Sequence, residues 1–157
     1  MNKELFINGF KNRIKEKFNL TDACAFEILV LAAFLDLSFD EVMANVSTLV
    51  NGKGSNDAGM DGIYIDEDQS TMQIFKIKSS EGIGDNILSK FITDYRNIFV
   101  YDNSSSIPLN QKVVTALEQY KSIVSSGKIL ETTLYFIFAG EKSEQNSHII
   151  KRHLDSL

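Results

Sequence analysis

Asp61-Gly62-Ile63-Tyr64-Ile65-Asp66, separated by a short polar break from Gln73-Ile74-Phe75-Lys76-Ile77-Lys78, is the stretch on which the fold of this chain turns. Tyr64 and the isoleucines favour extended backbone, and the cluster Asp66-Glu67-Asp68-Gln69-Ser70 favours a turn, so the segment predicts two neighbouring strands. Side chains alternate along a strand, which puts Ile74, Lys76 and Lys78 on one face, with both lysines directed towards Asp61. A carboxylate at the start of one strand and a lysine at the end of the next is the skeleton of a magnesium-dependent phosphodiesterase site. There the acid holds the metal and the ammonium faces the reacting phosphate.

Helical patterns surround these strands. Leu5, Phe6, Phe10, Ile14 and Phe18 recur at three- and four-residue spacing and predict a first amphipathic helix ending near Asn19. Thr21 or Asp22 can cap a second helix that runs to about Asp36, and Ser38-Phe39-Asp40-Glu41 opens a third that reaches about Val50. From Asn51 to Gly59 the composition turns to Gly, Asn, Ser and Asp, a loop leading into the first strand. Beyond the second strand, Ile87, Phe91, Tyr95 and Ile98 predict a helix over residues 86–101, and a further helix covers residues 110–125 with Gly127 as its terminator. Thr132-Thr133-Leu134-Tyr135-Phe136-Ile137-Phe138 is apolar on both faces and predicts a central, parallel strand. A last helical pattern runs from Ser143 to Leu157. The order describes an α/β domain, a mixed sheet flanked by helices.

At 157 residues and 43% apolar content, one domain with a substantial core is the natural division, spanning 1–157. The chain stops directly after its last helical pattern, which we read as the N-terminal part of a longer protein. A net charge of −5 weakens the case for a broadly basic nucleic-acid coat, although lysines grouped within an acidic protein still grip phosphates. The single cysteine, Cys24, forms no internal disulfide and reads as a small core residue, consistent with a reducing, cytoplasmic setting. Residues 1–18 lack the uninterrupted apolar centre of a secretory signal, and the apolar run from Ala23 to Leu35 is well short of the roughly 20 residues that span a bilayer, so no membrane partner is expected.

Glu27 is the only charged residue in that apolar run. A carboxylate buried there has to be paired, protonated or bound to a metal, which sets a role in the site beside the plainer reading of a glutamate paired with a lysine. Asp61 by itself reads as an ordinary strand-start acid. Asp57, Gly59 and Gly62 tighten the loop around it, and Lys76 and Lys78 follow, which favours a functional site. Lys78 could orient the attacking water or offset phosphate charge. Lys76 fits less well, because an ammonium where a second carboxylate should stand repels a cation. Other motifs are weaker. Asn51-Gly52-Lys53-Gly54-Ser55 lacks the spacing of a phosphate-cradling loop, and His148 and His153 have no cysteine or clustered acid near them to complete a zinc site.

The segment Asn56-Asp57-Ala58-Gly59-Met60-Asp61-Gly62-Ile63-Tyr64-Ile65-Asp66, with Ile74-Phe75-Lys76-Ile77-Lys78-Ser79, resembles the N-terminal domain of abortive-infection phage-resistance (AIPR) proteins, which belongs with the restriction-endonuclease-like PD-(D/E)XK nucleases. The resemblance covers roughly Thr21 to Gly140 and rests on about a dozen residues. It implies a restriction-endonuclease-like mixed sheet with an αββαβ core and extra helices at both ends. It also implies cleavage of DNA with Mg²⁺ or Mn²⁺, Asp61 and Glu27 as metal ligands, and Asp61, Lys76 and Lys78 as the catalytic positions. Self-association is left open. Lys76 stands where that family usually has Glu or Gln. This departure sets two alternatives side by side: an endonuclease whose metal is held by Asp61 and Glu27, and a catalytically silent module that grips nucleic acid or a partner acid. A purely structural domain is the third.

Overall fold

The computed structural model of the protein describes residues 3–44, 58–80 and 85–140. Three helices come first: α1 (Lys3–Phe18), α2 (Asp22–Leu35) and α3 (Phe39–Ala44). Two strands follow, β1 (Gly62–Asp66) and β2 (Thr71–Lys78), then α4 (Asp85–Tyr95), α5 (Gln111–Ser125) and a third strand, β3 (Glu131–Phe138). The chain is α/β, with a small mixed sheet flanked by helices. The predicted helix over Ser143–Leu157, the part of the third helix expected over residues 45–50, the loop residues 51–57 and both histidines lie outside the described residues.

Local chemistry sets the boundaries of the early helices. The Thr21 hydroxyl accepts the Cys24 N–H at 3.3 Å and so supplies one of the acceptors that the first turn of α2 lacks. At the other end Asp36 adopts a left-handed conformation (φ 53°), and its N–H closes onto the Ala32 carbonyl. Ser38 and Glu41 satisfy each other reciprocally at the start of α3: the Glu41 N–H donates to the Ser38 hydroxyl at 3.2 Å, and the Ser38 N–H donates to the Glu41 carboxylate at 2.8 Å. The Ser38 hydroxyl also donates to the Glu41 carboxylate at 2.7 Å, and this bond, with the one from the Ser38 N–H, holds the Glu41 carboxyl below its ordinary pKa.

The strand order is β1-β2-β3. β1 and β2 form an antiparallel hairpin in register from Gly62 opposite Phe75 to Asp66 opposite Thr71, and β2 runs parallel to β3 from Thr71 beside Glu131 to Lys78 beside Phe138. In the hairpin turn the Asp66 carboxylate accepts the Gln69 N–H at 2.9 Å, while Ser70 takes φ 54° to bring the chain back. β2 is therefore the central strand. The expectation that Thr132–Phe138 is central is corrected: among the described strands β3 lies at the edge. Its apolar residues reflect contact with helices on both faces of the sheet, not strands on both sides.

Alternation along β2 divides the core in two. Met72 and Ile74, with Ile63, pack against Leu88, Phe91, Ile98, Val113 and Leu117 on the α4 and α5 side. Phe75 and Ile77 pack against Ile14, Ala25, Ile28, Leu31 and Val42 on the α1 to α3 side. Burying each of the larger side chains contributes roughly 1.5–3 kcal/mol. Phe75 stacks on Tyr135 with ring centroids 5.0 Å apart, and Phe34 meets both rings edge-on.

The helix expected over residues 86–101 differs in its last part. After Tyr95 the backbone widens into a π-helical turn, Arg96–Val100, where the Tyr101 N–H returns to the Arg96 carbonyl at 2.8 Å. The extra residue in the turn lets Ile98 and Phe99 both enter the core. Among the described residues no single helix is long and apolar enough to cross a membrane.

Candidate functional site

Asp61 lies where the loop becomes β1. Ala58 and Gly59 both have positive φ, 52° and 70°, so the chain turns sharply there and buries Ala58 and Met60 in the α4 and α5 core. The Asp61 N–H donates to the Phe75 carbonyl at 2.8 Å. One residue pair further, the ladder changes partner: the Ile77 N–H is taken by the Asp61 side chain, Oδ2, at 2.6 Å. The carboxylate thus replaces a main-chain acceptor at the end of the hairpin.

The same carboxylate holds an ammonium. Lys76 Nζ stands 3.0 Å from Oδ1 and 3.0 Å from Oδ2 of Asp61. Asp61 is 9% exposed and is the buried charged residue among those described; the Lys76 side chain is 17% exposed. A charge-assisted pair this far from water compensates the desolvation of both groups when intact, and leaves one of them stranded when broken. Lys78 follows two residues later on the same pleat face, and among the described residues it forms no ion pair. Its carbonyl accepts the Ala139 N–H at 3.0 Å, which joins the end of β2 to the end of β3.

A residue that sequence reasoning missed approaches from α4. Asp94 Oδ2 lies 3.6 Å from where a Cβ on Gly59 would stand, its side chain is 13% exposed, and it is paired with Lys90 one helical turn earlier. The spacing of Lys90 and Asp94 reads in sequence as a common pair on a helix surface. Nothing local announces that it borders the loop before Asp61.

Two of the four residues singled out in the sequence, Asp61 and Lys76, are joined directly, and Lys78 shares their side of β2. Glu27 is half-buried on α2, the helix that packs over the opposite face, against Phe75 and Ile77. Magnesium demands near-octahedral oxygen ligation. Both Asp61 oxygens are engaged by an ammonium, one of them also by a backbone N–H, and no group of three His, Cys, Asp or Glu among the described residues converges to hold a metal. The arrangement fits a resident ammonium and does not fit Mg²⁺ or Mn²⁺.

On the same side of the sheet, burial pushes the Tyr95 hydroxyl above its ordinary pKa, against a hydrogen bond with Thr132 that pulls it the other way. Burial also lowers the pKa of Lys112 near the start of α5. No family model, curated protein or solved structure matches the chain.

Proposed function

We propose that the chain is a nucleic-acid-binding module of restriction-endonuclease-like architecture that contacts backbone phosphate, DNA first, through Lys78 without a metal. The observation that carries this reading is the Asp61–Lys76 pair: the acid of the site is already neutralised, and Asp94 is likewise matched by Lys90. With both carboxylates offset, Lys78, which forms no ion pair among the described residues, is a cation available to an anionic ligand within a protein of net charge −5. A phosphate diester is the complementary ligand, and its contact with a lysine is salt-sensitive because counterions are released. The test is anisotropy of labelled duplex DNA over a salt series, with and without chelator. Binding that weakens with salt, ignores chelator and drops on Lys78→Glu supports the module. A strict requirement for divalent cation, or no salt-sensitive binding, overturns it.

The second reading is a metal-dependent endonuclease domain of a bacterial phage-defence protein. It is favoured by the order of elements, an acid entering β1, lysines on β2 and a parallel β3 after the intervening helices. That reading requires Lys76 to leave Asp61. Plasmid cleavage that needs Mg²⁺ or Mn²⁺ and disappears in Asp61→Ala would establish it.

A further inference from the structure

We infer that Lys76 is the residue that determines cation specificity at Asp61: its ammonium is a built-in counter-cation that keeps divalent ions off that carboxylate. The inference rests on Asp61 being the acid of the proposed site. It goes beyond that reading by assigning the exclusion of metal to a single side chain.

Three features of the pair carry it. The ammonium is equidistant from the two carboxylate oxygens, 3.0 Å to each, the bridging position that a cation chelated by a carboxylate would take. The carboxylate cannot turn away to accept a second cation on another side, because Oδ2 is fixed by the Ile77 N–H at 2.6 Å. The Lys76 stem is held on the α4 and α5 side of β2 with only 17% of the side chain exposed, so the ammonium has little room to withdraw into solvent. A divalent ion approaching Asp61 therefore meets a positive charge within contact distance, in surroundings where water screens it poorly. Replacing the ammonium by an oxygen donor reverses the outcome. Asp61 would then share its side of the hairpin with a second oxygen ligand, beside an already buried carboxylate in need of a counter-charge.

The experiment is Mn²⁺ titration followed by electron paramagnetic resonance on the wild-type chain, Lys76→Glu, Lys76→Gln, Asp61→Asn and the Asp61→Asn/Lys76→Glu double variant, with circular dichroism confirming the fold of each. The free Mn²⁺ signal should be unchanged by wild type. Lys76→Glu should bind Mn²⁺ more tightly by about tenfold or more, a ratio equivalent to about 1.4 kcal/mol, and the double variant should lose that gain. Lys76→Gln, which removes the ammonium without adding charge, serves if Lys76→Glu does not fold, and should also bind more tightly than wild type. Wild-type binding that is abolished by Asp61→Asn overturns the inference, as does a folded Lys76→Glu or Lys76→Gln chain with no gain. The readout contains no nucleic acid, so failure of DNA binding and failure of this inference remain separate results.

Discussion

Lys76 reaches across the hairpin to Asp61 and places its Nζ 3.0 Å from each carboxylate oxygen, while the Ile77 N–H beside it donates to the same carboxylate. Asp61→Ala removes the acceptor of two donors at once and strands an ammonium that is mostly out of water. We expect a loss of about 3 kcal/mol in urea unfolding, the low end of the range for breaking buried pairs because Lys76 keeps some solvent contact. Lys76→Met keeps the aliphatic stem, and the Ile77 N–H still donates to the carboxylate, so it should cost less, about 1–2 kcal/mol. The double variant should be less destabilised than the sum of the singles. Additive losses would mean that the two groups do not depend on each other.

The start of α5 depends on one side chain. Asn110 Oδ1 accepts the N–H groups of Lys112 at 3.0 Å and Val113 at 3.1 Å, so Asn110→Ala leaves two donors of the first turn without an intramolecular acceptor. The expected cost is about 1 kcal/mol, and Asn110→Asp should recover most of it because an aspartate caps as well and adds favourable charge at a helix start. Thermal melting of the three chains decides this. Equal stability of Asn110→Ala and wild type would show that the cap is dispensable.

Much of this architecture is legible in the sequence because the governing forces are local. Thr21, Ser38 and Asn110 announce helix starts, Gly127 with φ 86° ends the last described helix, and Asp66 to Ser70 announces the hairpin turn. The pairing of Asp61 with Lys76 was also within reach, since pleat alternation puts Lys76 on the side of β2 away from Phe75. What local rules cannot give is the order of strands. Thr132–Phe138 is apolar on both faces whether it is flanked by strands or by helices, and only packing places β2 in the middle. The widened turn at Arg96–Val100 was hidden for the same reason: Ile98 fits ordinary helical spacing, and the need to bury Phe99 beside it arises only in the assembled core. Asp94 was missed because its neighbour, Gly59, lies far away in sequence.

At the end of α2, Asp36 holds a left-handed conformation, φ 53° and ψ 43°, that glycine adopts without steric cost. Its N–H, not its side chain, makes the closing bond to Ala32, so Asp36→Gly keeps the hydrogen bond and relieves the backbone. It also removes a negative charge from the negative end of the helix. Against these gains stands the greater freedom of glycine in the unfolded chain, which trims the net stabilisation to about 0.5 kcal/mol. Asp36→Val should act in the opposite direction, because a β-branched side chain tolerates this conformation poorly. Chemical denaturation of both variants tests the sign, and a destabilised Asp36→Gly would show that the aspartate side chain contributes more than its backbone strain costs.

Tyr95 provides a titration that reports on the α4 side of the sheet. Burial raises its hydroxyl pKa above the ordinary value of 10.0, and its hydrogen bond with Thr132 offsets only part of the effect. In the unfolded chain this tyrosine ionises near 10.0, whereas in the folded chain it keeps its proton to higher pH. Above pH 10 the folded state therefore binds more protons than the unfolded state, and stability must fall as pH rises through that region. Lys112 works the other way. Burial lowers its pKa from 10.5, the folded chain releases that proton first, and stability rises with pH up to 10.5. The two slopes can be separated by substitution. Tyr95→Phe should remove the latest step in the phenolate absorbance titration and flatten the alkaline loss of stability, at a cost of about 1 kcal/mol at neutral pH for the hydrogen bond to Thr132. Lys112→Met should leave the phenolate titration unchanged and abolish the rise on the approach to pH 10.5. If Tyr95→Phe leaves the latest phenolate step in place, Tyr95 is not the buried hydroxyl that titrates last, and the packing of α4 against β3 would have to be looser than the Tyr95–Thr132 bond implies.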